Sequence, residues 1–91
     1  MEQSARQIIF SGSVQGVGFR YTVFNIANRY CLTGMVRNLA DGTVEMTAQG
    51  SQDDIDNCLR DINESFIGYL RQSQVQQVDF NPAFTSFKIA F

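Results

Sequence analysis

At 91 residues, with 44% apolar and 12% aromatic side chains, the chain has the size and apolar content of one small domain covering residues 1–91. A net charge of -2 and only seven Lys and Arg leave no surplus positive field for a nucleic-acid backbone or an anionic membrane, so any anion must be captured locally. Histidine is absent, which excludes Ser-His and Cys-His nucleophile pairs, His general acids and nearly every zinc site; no metal and no cofactor are expected.

The opening Met-Glu-Gln-Ser-Ala-Arg-Gln lacks the basic-then-apolar run of a leader, and no stretch approaches the roughly 18 apolar residues of a membrane span. A cytoplasmic protein is expected. Arg6 to Val14 carries β-favouring Ile8, Ile9 and Phe10 and runs into the glycines of Ser-Val-Gln-Gly-Val-Gly, which predicts a strand ended by a loop. From Tyr21 to Cys31, Val23, Ile26, Ala27 and Tyr30 recur at the spacing of one helix face.

Gly34 to Leu39 and Thr43 to Gln49 read as strands, the second with Val44, Met46 and Ala48 on one face and Thr43, Glu45 and Thr47 on the other. Asp41-Gly42 between them supplies the hairpin turn. Ser51 before Asp53 and Asp54 is an N-cap followed by first-turn acids, and Ile55, Cys58, Leu59, Ile62 and Phe66 follow at helical spacing. Gly68 to Gln77 is polar and Gln-rich and reads as a loop leading into a strand around Val75 to Phe80. Beyond Pro82 the alternation of Phe87, Ile89 and Phe91 predicts a further strand continuing the same sheet edge.

The order β-α-β-β-α-β, with one more strand available, is the ferredoxin-like α+β sandwich: an antiparallel sheet of four to five strands with two helices on one face. That superfold hosts enzymes, RNA binders and ligand sensors alike, so function must come from a site. Gln15-Gly16-Val17-Gly18-Phe19-Arg20 links the first strand to the first helix. Its glycines let consecutive N–H groups turn around one anion, the helix adds its positive end, and Arg20 supplies a planar fork for two phosphate oxygens. The plain structural reading of the same residues is a tight turn with a solvated arginine. A dinucleotide fingerprint is excluded by Tyr21 three residues past Gly18, and no Walker lysine is present.

Ser13 to Arg20, read together with Gly34-Met35-Val36-Arg37-Asn38-Leu39-Ala40-Asp41-Gly42-Thr43-Val44-Glu45, is similar in order and spacing to the two signature stretches of acylphosphatases, over Ile9 to Gly50. The resemblance implies hydrolysis of a carboxyl-phosphate anhydride. Arg20 and the N–H groups of Gln15, Gly16, Val17, Gly18 and Phe19 would bind the phosphate, and Asn38 would orient the attacking water. It further implies a small-molecule acyl phosphate as substrate and inorganic phosphate as product and inhibitor, while the charge balance argues against a nucleic-acid or membrane partner and a monomer is expected. Asn38 otherwise reads as a strand-end residue bonding its own turn. A non-catalytic phosphate or acyl-phosphate binding module of the same fold is the alternative function.

The chain departs from the family pattern at four places. Ser13 stands where a basic residue is usual, Met35 where Trp is customary, Cys31 where a helix-ending Gly is expected, and Gly68 is followed by Tyr69 rather than Pro. Cys31 to Arg37 also matches the C-x5-R spacing of cysteine-dependent phosphatases, but Tyr30 precedes it, Asn38 follows it and Cys31 ends a helix. A packed thiol acting as a small apolar residue is expected there.

Overall fold

Seven elements follow one another: β1 (Ser4–Gly12), α1 (Phe19–Arg29), β2 (Thr33–Asn38), β3 (Val44–Gly50), α2 (Gln52–Ser65), β4 (Leu70–Gln77) and β5 (Phe87–Ile89). This computed structural model describes residues 3–91; Met1 and Glu2, with which the expected domain and the segment read for a leader begin, lie outside the described residues. The sheet order is β4-β1-β3-β2-β5, and both helices pack on one face of it, as the ferredoxin-like reading requires.

The centre of the sheet is where apolar residues alternate most regularly. Ile8 faces Met46 and Phe10 faces Val44 across the antiparallel β1–β3 ladder, and all four are fully buried. Against them lie Val23, Ile26 and Ala27 of α1 and Ile55, Cys58 and Ile62 of α2. Burial of each large aliphatic or aromatic side chain contributes about 1.5–3 kcal/mol, so this shared core holds the two helices to the sheet. Burial also pushes the Cys58 thiol up to about 12, which makes it an inert core group. At the start of α2 the Ser51 hydroxyl accepts a hydrogen bond from the Asp54 N–H at 3.1 Å, with Asp53 and Asp54 in the first turn, as the N-cap pattern predicts.

Three expectations need correction. Gly68 to Gln77 is not a loop into a later strand: Leu70–Gln77 is itself the strand β4, paired antiparallel with β1, and it stops before Val78. Its glutamines stand at the edge of the sheet, where little is buried on either side, so the ladder to β1 rather than burial defines it. The tail strand β5 does not continue that edge. It adds to β2 at the opposite edge, and does so in parallel, so the sheet is antiparallel in three ladders and parallel in the fourth. Finally, Cys31 is exposed rather than packed.

The connection from β4 to β5 crosses the outer sheet face on one buried anchor. The Gln49 side chain donates to the Asn81 carbonyl at 3.0 Å and accepts from the Asn81 N–H at 2.6 Å. Gln49 is 1% exposed, so its amide needs these partners, and they in turn fix where β5 begins its return to β2.

Candidate active site

The loop between β1 and α1 is built so that its N–H groups stay free. Residues 14–18 form no hydrogen-bonded turn, and among the described residues none of their backbone N–H groups finds a protein acceptor. Gly16 and Gly18 sit at φ 81° and 74°, a left-handed conformation that costs glycine nothing and other residues about 1–2 kcal/mol. Gly18 is also the N-cap of α1, with no side-chain cap and no acid in the first turn, so the positive end of the helix is left open toward the loop. What holds this end of the helix is Phe19. Its ring is buried between Phe10 and Phe66, with centroids at 5.0 and 4.6 Å.

One residue further on, Arg20 turns to the cleft. Its guanidinium donates to the Ala90 carbonyl at 3.4 Å and lies 5.1 Å from the centre of the Phe91 ring. Asn38 comes from the other side, at the end of β2. It shares the parity of buried Val36, so its side chain stands on the helix-bearing face of the sheet, exposed there and, among the described residues, without a side-chain hydrogen bond. The alternative of an asparagine bonding its own turn is therefore absent. The turn is closed by Asp41 instead, whose carboxylate accepts from the Thr43 N–H at 3.0 Å and from the Thr43 hydroxyl at 2.6 Å. Those bonds, the hydroxyl's first, hold the Asp41 carboxyl below the usual carboxylate range.

An open cleft of about 220 Å³ brings Gly16, Gly18, Phe19, Arg20 and Asn38 together. Two residues expected in the cradle do not line it: Val17 points to solvent at the loop tip, and the Gln15 side chain turns toward the hairpin. Only backbone N–H groups of these two, and of buried Phe19, are left to serve an anion. Val14, Tyr21, Ile89 and Phe91 complete the lining and were not foreseen. The tail alternation of Phe87, Ile89 and Phe91 was visible in the sequence, but nothing in it indicated that β5 would return beside β2 and reach the cleft.

The C-x5-R spacing has no spatial counterpart. Thr33–Asn38 is extended, which separates Cys31 from Arg37 by about 15–20 Å. Arg37 stands on the outer sheet face, with its Nε at 2.6 Å from the carboxylate of buried Glu45, which also accepts from Gln7. Cys31 itself, at φ 57°, occupies the left-handed position of a helix-ending motif: its N–H donates to the Asn28 carbonyl and that of Leu32 to the Ala27 carbonyl.

Comparison with known proteins shows the family. The family model described as Acylphosphatase matches residues 6–89. An acylphosphatase of Chlorobaculum tepidum is 40% identical over 93 aligned positions that cover 98% of each chain. One from Methanospirillum hungatei is 47% identical over 68 positions, 75% of each chain. The crystal structure of the Bacillus subtilis acylphosphatase superposes with a TM-score of 0.89 at 30% identity, covering 99% of this chain and 100% of that one. With matches spanning nearly its whole length in both sequence and fold, the chain belongs to the acylphosphatase family.

Proposed function

We propose that this chain hydrolyses acyl phosphates to a carboxylate and inorganic phosphate, with the phosphoryl group held by the 15–20 loop and Arg20 and the attacking water placed by Asn38. The observation that carries this reading is the convergence, in one cleft of a chain of this family, of open loop N–H groups, a guanidinium and an unengaged carboxamide. The loop N–H groups and Arg20 are the kinds of donor that three phosphoryl oxygens need for charge-assisted bonds. Asn38, entering from the opposite wall, can accept from water with its carbonyl and direct a lone pair toward phosphorus.

The chemistry asks little more of the protein. Water forms a bond to phosphorus as the bond to the carboxylate oxygen breaks, and the proton of the water ends on phosphate or solvent. The leaving carboxylate has a conjugate acid of pKa about 4, so it departs unprotonated at neutral pH and no general acid is needed. The transition state is loose and anionic, so positioning and charge stabilisation supply the rate. Inorganic phosphate, as product, would compete for the same cradle. Monomeric action and a cytoplasmic location belong to the same reading, checked by sedimentation and by fractionation.

The test compares acetyl phosphate with a phosphate monoester of similar size. Release of phosphate from the anhydride, with the monoester at least about a thousandfold slower, is expected, because only the anhydride carries a leaving group that departs without a proton. Binding of phosphate without turnover of either compound would return the chain to a non-catalytic module.

A further inference from the structure

The Gln15 carboxamide bridges the 14–18 loop and the hairpin beside the cleft. Its Nε2 donates to the Leu39 carbonyl and to the Thr43 carbonyl, both at 2.9 Å. These two carbonyls bracket the hairpin turn, which is itself closed by the Leu39 N–H donating to Thr43 and the Gly42 N–H donating to Leu39. Both hydrogens of the amide are thus used, one on each side of the turn, each on a carbonyl that also accepts one bond within the turn. Among the described residues no other hydrogen bond joins residues 14–18 to the hairpin.

Asn38 immediately precedes Leu39 and, among the described residues, has no side-chain bond of its own. Its distance from the cradle is set by the β1–β3 ladder, in which Phe10 faces Val44 at the foot of the hairpin, and beyond the end of that ladder by the Gln15 bridge. We infer that Gln15 is a positioning residue: its side chain does not grip phosphate but locks the Asn38 hairpin to the phosphate loop, holding the water-placing amide in register with the bound phosphoryl group. The inference rests on the roles proposed above for Arg20 and Asn38. A misplacement of about 1 Å in such a geometry is enough to cost on the order of a hundredfold in rate, which gives a two-bond clamp at this point a kinetic effect larger than its effect on folding.

The test measures kcat, KM and phosphate inhibition on acetyl phosphate for Gln15→Ala and Gln15→Glu, each alone and combined with Asn38→Ala, with folding checked by circular dichroism. Gln15→Ala is expected to lower kcat about tenfold or more while the inhibition constant for phosphate stays within about twofold. Gln15→Glu, equal in size but with no donor when ionised, should fall as far at neutral pH. It should recover relative to wild type as pH drops to where its carboxyl protonates and regains one O–H. Neither substitution should slow the Asn38→Ala enzyme further, because a clamp on Asn38 has nothing left to position. Full kcat in Gln15→Ala, weakened phosphate binding with kcat preserved, a pH profile of Gln15→Glu identical to that of Gln15→Ala, or losses that multiply in the double variant would each overturn the clamp. If Asn38→Ala alone keeps full kcat, the assigned water-placing role fails first; if Asn38→Ala is impaired while Gln15→Ala is not, only the clamp fails.

Discussion

The hairpin of residues 39–43, which follows Asn38, and the loop of residues 14–18 are bridged by the Gln15 side chain, and they treat their polar groups in opposite ways. In the hairpin, the Leu39 N–H, the Thr43 N–H and hydroxyl, the Asp41 carboxylate and the Gly42 N–H are bonded within five residues. In the loop, no backbone N–H of residues 14–18 finds a protein partner among the described residues, and two glycines hold it in a left-handed course. A turn that satisfies itself presents a stable edge. A turn that leaves its donors open presents an incomplete shell that an anion can fill. The roles proposed above follow the same division, with binding assigned to the open segment and placement of the nucleophile to the residue that enters the closed one.

Truncating one residue from each wall is the strongest way to break that division. Arg20→Ala removes bonds made in ground and transition states alike, so kcat/KM should fall by about a thousandfold or more and inhibition by phosphate should weaken in parallel. Asn38→Ala should lower kcat about a hundredfold with phosphate inhibition near wild type, read from the same steady-state and inhibition assays. If both variants lose phosphate binding equally, the walls are not divided by role.

The open wall should also respond to its ligand. Phosphate at a hundred times its Kd, at constant ionic strength, should stabilise the folded chain by about 2.7 kcal/mol and raise Tm on the order of 10 °C. That shift should vanish in Arg20→Ala and survive in Asn38→Ala. Equal shifts in both would mean that phosphate is held somewhere else.

Away from both walls, the exposed Cys31 sharpens the comparison from another side, since it spends a left-handed conformation where an anion plays no part. Cys31→Gly should raise stability by up to about 1 kcal/mol, seen as a higher denaturant midpoint, because glycine fits φ 57° without the steric penalty. Both Cys31→Gly and Cys31→Ser should leave kcat unchanged. Loss of turnover in either folded variant would make the thiol part of the chemistry.

The smallest effect is expected at Tyr30, whose hydroxyl donates to Asp61 and ties the end of α1 to α2. That hydrogen bond raises the Tyr30 hydroxyl and holds the Asp61 carboxyl low. A raised phenol contributes stability below its unfolded pKa and loses it as pH rises; a depressed carboxyl contributes above its unfolded pKa and loses it as pH falls. Tyr30→Phe should therefore lower Tm slightly between the usual carboxylate and phenol ranges, with the gap to wild type closing toward either extreme. The kinetic constants should not move. A change in kcat would show that helix docking reaches the cleft.

Much of this molecule was legible in residue order. The 3.6 period of Ile55, Cys58 and Ile62, the alternation of Val44, Met46 and Ala48, the Ser51 cap and the Asp41-Gly42 turn are local signals, because each element's own geometry dictates which positions meet the core. The left-handed course of the loop was legible in Gly16 and Gly18 for the same reason: the conformation they permit belongs to the segment itself. Contacts across 24 to 70 residues belong to the tertiary structure, since neither periodicity nor propensity carries partner identity. The fold alone decided that a run of exposed glutamines becomes β4 by pairing with β1, that β5 joins β2 in parallel and carries Ile89 and Phe91 to the cleft, and that the Gln15 side chain turns to the hairpin that follows Asn38. Each depends on which backbone groups the sheet leaves unpaired, and that is determined only once the strands have found their neighbours.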